Sequence, residues 1–105
     1  MYTKDEKLAI TKAMMEVAMA DGVISYEEKE YMAQLITVLD LKPEYAREAA
    51  LLNMTDCITF LSKMSDTKKA GLVVMLHEMA NADGVIDKDE LKTIAGVFLA
   101  SGIRI

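Results

Sequence analysis

The tetrapeptide Asp-Gly-Val-Ile occurs twice in this sequence, at residues 21–24 and 83–86. Acidic residues also correspond at this shift of 62 residues: Glu16 with Glu78, and Glu28 with Glu90. Each copy lies between two stretches with helical patterning, so each is predicted to be a helix–turn–helix unit. A stacked solenoid would need at least about three repeats. The repeat therefore favours two related hairpins that close a pseudo-symmetric bundle.

The composition and charge narrow the classes of protein that this chain can belong to. Its 105 residues predict one domain, spanning residues 1–105, and a hydrophobic fraction of 52% argues against disorder. The net charge of −5, without a cluster of Lys or Arg, argues against nucleic-acid binding, because phosphate contacts require a basic face. The sequence contains neither a signal-peptide pattern nor an apolar run of membrane-spanning length. Together with a single cysteine, Cys57, these features predict a cytoplasmic protein.

Helical patterning runs along the whole chain. Residues that favour helices dominate and no segment alternates with period two, which predicts an all-α fold, a compact bundle of about six helices. The predicted helices cover residues 4–20, 26–39, 43–52, 56–63, 66–82 and 88–100. The predicted N-caps are Thr3, Ser25, Thr55 and Ser65, and Gly102 is expected to end the last helix.

The apolar positions of these helices predict the core. In the second helix, four apolar residues are expected to face inward: Met32, Leu35, Ile36 and Leu39. The fifth helix is apolar on every side from Gly71 to Leu76, which predicts that it is the central, most buried helix. Most of the nine methionines are expected to fill gaps in the core, with the alternative that some line an adaptable binding surface.

Local structure explains much of each acidic turn. Gly22 can adopt the left-handed conformation that ends a helix. Ser25 then caps the next helix, and Glu28, three residues later, completes a capping box. Asp87 and Glu90 occupy the same positions in the second copy.

The two aspartates of the turns, Asp21 and Asp83, are explained less well by local structure. A carboxylate near a helix C-terminus meets the negative end of the helix dipole. An Asx-type turn or a bound cation would offset this repulsion. If the hairpins pack about a pseudo-twofold axis, Glu16 and Glu78 join the aspartates in one shared site, whose oxygen ligands suit Mg²⁺, Ca²⁺ or Mn²⁺.

Two other interpretations of the acidic residues remain open at this stage. One is an EF-hand-like calcium or divalent-metal sensor, although Val17 and Met79 stand where the first carboxylate ligand of each loop belongs. The other is that the glutamates upstream of the turns face solvent or pair with Lys12 and Lys69.

The chain resembles the TerB-like family of tellurite-resistance proteins. The resemblance lies in a unit that occurs twice in a small all-α chain: a helix, the pattern Ala-Asp-Gly-x-Ile, a capping glutamate and a second helix. The residues that carry the resemblance are 16–28 and 78–90. It implies a compact pseudo-symmetric helical domain, a link to resistance to tellurite and other stresses, and assemblies near the cytoplasmic membrane. It also implies metal binding by the acidic motif. The candidate ligands carried over are Glu16, Asp21, Glu28, Glu78, Asp83 and Glu90.

No pattern in the sequence predicts an enzyme. Cys57 is far in sequence from the only histidine, His77, and no nucleophile elbow, phosphate loop or dinucleotide fingerprint occurs. The sequence therefore predicts a non-enzymatic TerB-like binding or adapter domain, linked to tellurite or another stress response. A protein partner and a divalent cation (Ca²⁺, Mg²⁺ or Mn²⁺) at the acidic repeats are its expected ligands. The alternatives are an EF-hand-like metal sensor and a purely structural protein–protein interaction module.

Overall fold

The computed structural model describes residues 2–20, 22, 24–82 and 88–103. Within those ranges the chain forms helices and no strand, so the predicted all-α fold is confirmed. The helices are α1 (Lys4–Ala18), α2 (Tyr26–Val38), α3 (Pro43–Leu51), α4 (Met54–Ser62), α5 (Asp66–Ala80) and α6 (Lys88–Ala100). They pack into a bundle of 31 × 29 × 24 Å. None of the helices in this described part is long and apolar enough to cross a membrane.

Capping boxes begin the first helix of the chain and the helix after the first acidic turn, as predicted. Thr3 Oγ1 accepts a hydrogen bond from Glu6 N at 3.2 Å, and Glu6 Oε1 accepts one from Thr3 N at 2.7 Å. The same reciprocal pair joins Ser25 and Glu28, at 3.1 and 3.3 Å. Each pair satisfies backbone N–H groups that have no partner inside the helix.

The start of α4 differs from the prediction. Asn53, not Thr55, is the N-cap, and Asn53 Oδ1 accepts a hydrogen bond from Asp56 N at 2.8 Å. Asparagine is at least as good an N-cap as threonine, so the earlier start adds helical residues without losing the cap. The cap predicted at Ser65 is confirmed, because its hydroxyl accepts a hydrogen bond from Lys68 N at 3.3 Å.

The most buried helix is α1, which corrects the expectation for α5. Helix α1 packs against α3, α4, α5 and α6, and more of its residues are buried than in α5. Three alanines on α1, Ala9, Ala13 and Ala18, are buried, and their small side chains let the neighbouring helices approach closely. Val74, in the all-apolar stretch of α5, is 54% exposed. An apolar stretch thus shows that a helix carries no charged side chains there, but it does not show whether the other helices surround it.

The bounds of α5 and α6 repeat those of α1 and α2 at the same shift of 62 residues. Helix α6 packs against α1, and α2 packs against α5. The second helix of each hairpin therefore contacts the first helix of the other hairpin. A pseudo-twofold arrangement produces this exchange of partners.

Helix α2 buries less of its surface than the sequence predicts. Leu35 is buried, and Met32 and Leu39 are partly buried, but Ile36 is 45% exposed. Helix α2 packs mainly against α5, so only a narrow stripe of it is covered. Ile36 lies about 100° around the helix from Leu35 and falls outside that stripe.

Helices α2 and α6 end in the same hydrogen-bonded motif. Leu41 N donates to Ile36 O at 2.9 Å, and Ile103 N donates to Phe98 O at 2.8 Å. The residue before each donor is left-handed: Gly102, as predicted, has φ 71°, and Asp40 has φ 53°. These are Schellman motifs, which reverse the chain and satisfy the last carbonyl groups of each helix.

Candidate functional site

The structure describes four of the six predicted metal ligands. Glu16, Glu28, Glu78 and Glu90 lie on α1, α2, α5 and α6 respectively. Asp21 and Asp83 lie outside the described residues. The glutamates fall into two classes, since those upstream of the turns are exposed and those downstream are buried.

The two downstream glutamates are buried to an extent that capping alone does not require. Glu28 is 3% exposed and Glu90 is 2% exposed. Glu28 Oε1 accepts the capping hydrogen bond from Ser25 N, whereas Oε2 is buried with no hydrogen-bond partner among the described residues. An unsatisfied buried carboxylate oxygen is costly, because burial removes the water that solvates its charge. In the capping box of α1, by contrast, Glu6 Oε1 also forms an ion pair with Lys68 Nζ at 2.8 Å.

The two upstream glutamates have separate partners. Glu16 Oε1 lies 3.5 Å from Lys12 Nζ, one turn earlier on α1, as one of the alternative interpretations predicts. Glu78 Oε2 accepts a hydrogen bond from the Tyr31 hydroxyl at 2.8 Å, so Glu78 bonds to Tyr31 where the alternative interpretation placed Lys69. Within the ranges that the structure describes, no group of three acidic, histidine or cysteine side chains is placed to hold one metal ion. A shared site would therefore require the aspartates of the turns.

An acidic depression of about 310 Å³ surrounds the contact between Tyr31 and Glu78, and Glu27 and Glu30 also line it. Burial, with the neighbouring Glu78 carboxylate, raises the pKa of Tyr31 to about 12. Tyr31 therefore remains protonated at neutral pH and donates its hydroxyl hydrogen to Glu78. The depression presents negative charge to solvent and would attract cations rather than anions.

A second cavity, which we call the methionine pocket, lies between α1, α2 and α3. Its volume is about 270 Å³, and its surface is almost entirely apolar. The residues that form its apolar wall include Met14, Met15, Met32, Ile36, Leu41 and Tyr45. The sequence raised the possibility of a methionine-lined surface but did not locate this pocket, because no local pattern shows where α2 separates from α1 and α3.

Comparison with known proteins gives a family match for the first half of the chain. Residues 1–52 match the family model described as tellurite resistance protein TerB. In this half the chain is TerB-like. The match covers α1, α2 and α3, including the first acidic turn and the walls of the methionine pocket. No curated protein sequence matches the chain at a significant level.

A solved structure shows that the fold of the whole chain is shared with another protein. A protein of unknown function from Porphyromonas gingivalis superposes with a TM-score of 0.82 at 19% sequence identity. The superposition covers 99% of this chain and 87% of that protein. At this identity the likeness shows the fold alone.

Two reactive residue types in the TerB-like fold sit in inert surroundings. Cys57 is fully buried, and its Sγ donates a hydrogen bond to Ala9 O at 3.4 Å. Burial raises the pKa of the Cys57 thiol to about 11, so the nucleophilic thiolate is scarce at neutral pH. His77 packs against the ring of Phe98, with 5.9 Å between the ring centroids. Neither arrangement resembles an activated nucleophile beside its base.

Proposed function

We propose that this TerB-like chain is a non-enzymatic binding domain that holds a divalent cation at its acidic turns. The observation that carries the proposal is Glu28, a nearly fully buried carboxylate whose Oε2 has no hydrogen-bond partner among the described residues. A cation bound at the turn would neutralise this charge. Glu90 repeats the burial in the second hairpin.

The proposed ligands are carboxylates from both hairpins. Glu28 would act with Asp21 in the first hairpin, and Glu90 with Asp83 in the second, while the two upstream glutamates would contribute from the preceding helices. An all-oxygen donor set fits Mg²⁺, Ca²⁺ or Mn²⁺. When bound, the cation would supply positive charge that allows several carboxylates to lie close together.

An EF-hand-like sensor receives less support from the geometry. Val17 and Met79, at the first ligand position of each EF-hand-like loop, are both fully buried in the core. Helix α1 continues to Ala18 and α5 to Ala80, so the first ligand position of each EF-hand-like loop lies inside a helix.

The test compares substitutions at two capping boxes. Glutamine at position 28 keeps the capping box but removes the charge, so Glu28→Gln should fold and lose stabilisation by metal. Glu6→Gln makes the same change in the capping box of α1 and should keep the metal response. Metal at about 100 times Kd would stabilise the wild-type protein by about 2.7 kcal/mol, raising Tm by about 10 °C.

Melting temperatures would be measured with millimolar Ca²⁺, Mg²⁺ or Mn²⁺ and with EDTA. An unchanged Tm of the wild-type protein in all three metals would refute the cation site. A metal response that survives in Glu28→Gln would show that Glu28 is not a ligand.

We also propose that the domain acts as an adapter in a stress-related assembly, consistent with the family description. Val38, Leu51 and Leu99 are the candidate contact residues, because each of these apolar side chains is at least 75% exposed. Replacing each with Glu should preserve the fold and abolish capture of a protein partner from cell extract. Equal capture by the wild-type protein and all three variants would argue against these contacts, and unchanged tellurite tolerance after gene deletion would argue against the stress role.

A further inference from the structure

The methionine pocket has no role in the proposed cation site, and its chemistry points to a different ligand. We propose that it binds one medium-length acyl chain that ends in an anionic head group, as in a fatty acid. The apolar tail would occupy the pocket, and the head group would lie at the rim beside Lys42. This inference stands independently of the cation.

The second half of the bundle shows that the pocket is a local feature of the first half. At the shift of 62 residues, Ile94 and Phe98 on α6 correspond to Met32 and Ile36 on α2. Ile94 and Phe98 are 2% and 0% exposed, and both belong to the core. Ile36 is 45% exposed and lines the pocket with the partly buried Met32. Smaller or more flexible side chains in the first hairpin thus leave space where the second hairpin is filled.

The size of the pocket sets the length of the chain that it accepts. Its volume is about 270 Å³. A dry apolar cavity of about 150 Å³ holds the six carbons of benzene, so the same ratio gives about eleven carbons for this pocket. An acyl chain of about ten carbons would fit within it. The methionine side chains can adjust to the shape of the ligand, since they are unbranched and polarizable.

The charges at the pocket favour an anionic head group. Lys42 is exposed and is the only charged residue among those that line the pocket. The N-terminus of α3 also lies there, because Pro43, its first residue, is part of the lining. Lys42 is the N-cap of α3 and makes no side-chain capping hydrogen bond. A carboxylate at this rim would gain from both the ammonium group and the positive end of the helix dipole.

The test uses decanoate below its micelle-forming concentration and 1-decanol as the uncharged analogue. Binding would be measured by calorimetry and by the methyl ¹³C signals of the methionines. We expect saturable one-to-one binding of decanoate, with signal shifts at Met14, Met15 and Met32. The signals of Met64 and Met79, which do not line the pocket, should remain unchanged.

Two substitutions test the two ends of the ligand. Ile36→Phe fills the pocket as Phe98 fills its counterpart, and should weaken both probes by at least about tenfold. Val74→Phe adds bulk at an exposed position of α5 that does not line the pocket, and should not affect binding. Lys42→Glu should weaken the binding of decanoate by about fivefold and leave the binding of decanol unchanged. Lys92→Glu, the same charge change on α6, should alter the affinity for neither probe. Circular dichroism would verify that all four variants are folded.

Four results would overturn the proposal. The first is the absence of saturable binding of either probe by the wild-type protein, and the second is undiminished binding by Ile36→Phe. Equal affinity for both probes, together with no effect of Lys42→Glu, would show that the pocket does not recognise an anionic head group. If the protein instead forms a dimer that Ile36→Phe dissociates, and decanoate does not bind, the occupant is a second copy of the chain and the acyl-chain proposal is wrong.

Discussion

Tyr31 links α2 to α5 through a hydrogen bond to Glu78, and the burial of Tyr31 together with this bond makes stability depend on pH. The folded protein raises the pKa of Tyr31 to about 12 from a model-compound value of 10.0, chiefly by burial. The raised pKa means that the folded state holds its proton more tightly than the unfolded state. The resulting stabilisation is complete below pH 10 and is lost as the pH rises towards 12.

Tyr31→Phe should therefore reduce the loss of stability at alkaline pH. The measurement is the free energy of unfolding in urea between pH 8 and 12, where the wild-type curve should fall more steeply than that of the variant. At neutral pH the variant should be less stable by about 0.5–1.5 kcal/mol, because the hydrogen bond to Glu78 is lost. Tyr26→Phe is the control: the hydrogen bond with Glu30 also raises the pKa of Tyr26, but this side chain is 69% exposed, so its removal should change the curve less. Parallel curves for wild type and Tyr31→Phe would contradict the prediction.

At the scale of single elements, the ends of α2 and α6 offer a matched comparison. Both helices end in a Schellman motif, but α6 places glycine at the left-handed position and α2 places Asp40 there. A residue with a Cβ is strained in this conformation, and aspartate is strained less than most others. The sequence identified Gly102 as a helix stop, whereas nothing local marked Asp40 as its counterpart.

Opposite substitutions at these two positions should have opposite effects. Asp40→Gly relieves the strain and should stabilise the protein by about 0.5 kcal/mol, while Gly102→Ala introduces it and should cost about 1 kcal/mol. Both values would come from urea unfolding at neutral pH. Asp40→Asn, which also tolerates the left-handed region, should be close to neutral. If Asp40→Gly lowers stability instead, the Asp40 carboxylate makes a contact whose free energy exceeds the backbone strain that glycine relieves.

Capping was largely predictable at this scale, and burial was not. The boxes formed by Thr3 with Glu6 and by Ser25 with Glu28 follow from residues three positions apart, so the sequence contains all the information. At α4, Asn53 and Thr55 can each cap a helix, and local chemistry did not separate them. The exposure of Ile36 depends on the position of α5, which the sequence of α2 does not record.

For the molecule as a whole, Tyr2 fastens the start of the chain to α5. Its hydroxyl donates a hydrogen bond to Lys68 O at 3.3 Å, and Lys68 Nζ lies 5.8 Å from the centre of its ring. Gly71 leaves room for this contact, because a Cβ on it would lie 2.6 Å from the Tyr2 hydroxyl. Gly96 on α6 has no such neighbour within 4 Å.

These two glycines should respond differently to alanine. Gly96→Ala should stabilise the protein by about 0.5–1 kcal/mol, since alanine is the better residue in a helix interior. Gly71→Ala should stabilise the protein less than Gly96→Ala does, because the added methyl group displaces Tyr2. In a Tyr2→Ala background, Gly71→Ala should recover the full gain, and urea unfolding of the four proteins in this cycle would measure the coupling. Equal gains at Gly71 and Gly96 in the wild-type background would disprove the role of Tyr2.

For the candidate sites, as for the fold, some features were predictable from the sequence and others were visible only in the structure. The resemblance to the TerB-like family placed Glu28 and Glu90 among the candidate ligands, and the structure adds that both are buried. The methionine pocket was not predicted, because it arises from the separation of α2 from α1 and α3 rather than from any single motif. Comparison of Ile36 with its repeat partner Phe98 is the signal that could have indicated it, since the smaller residue occupies the position that the other hairpin fills.

The sequence by itself determined the all-α class, the approximate bounds of the helices, two capping boxes and the repeat with its acidic turns. All of these depend on residues within a few positions of each other, or on direct comparison of two segments. The tertiary structure decided that α1 rather than α5 is central, that Glu28 and Glu90 are buried, and that a pocket opens beside Met32. These features depend on how helices distant in the chain pack together, which no local stretch of the sequence specifies.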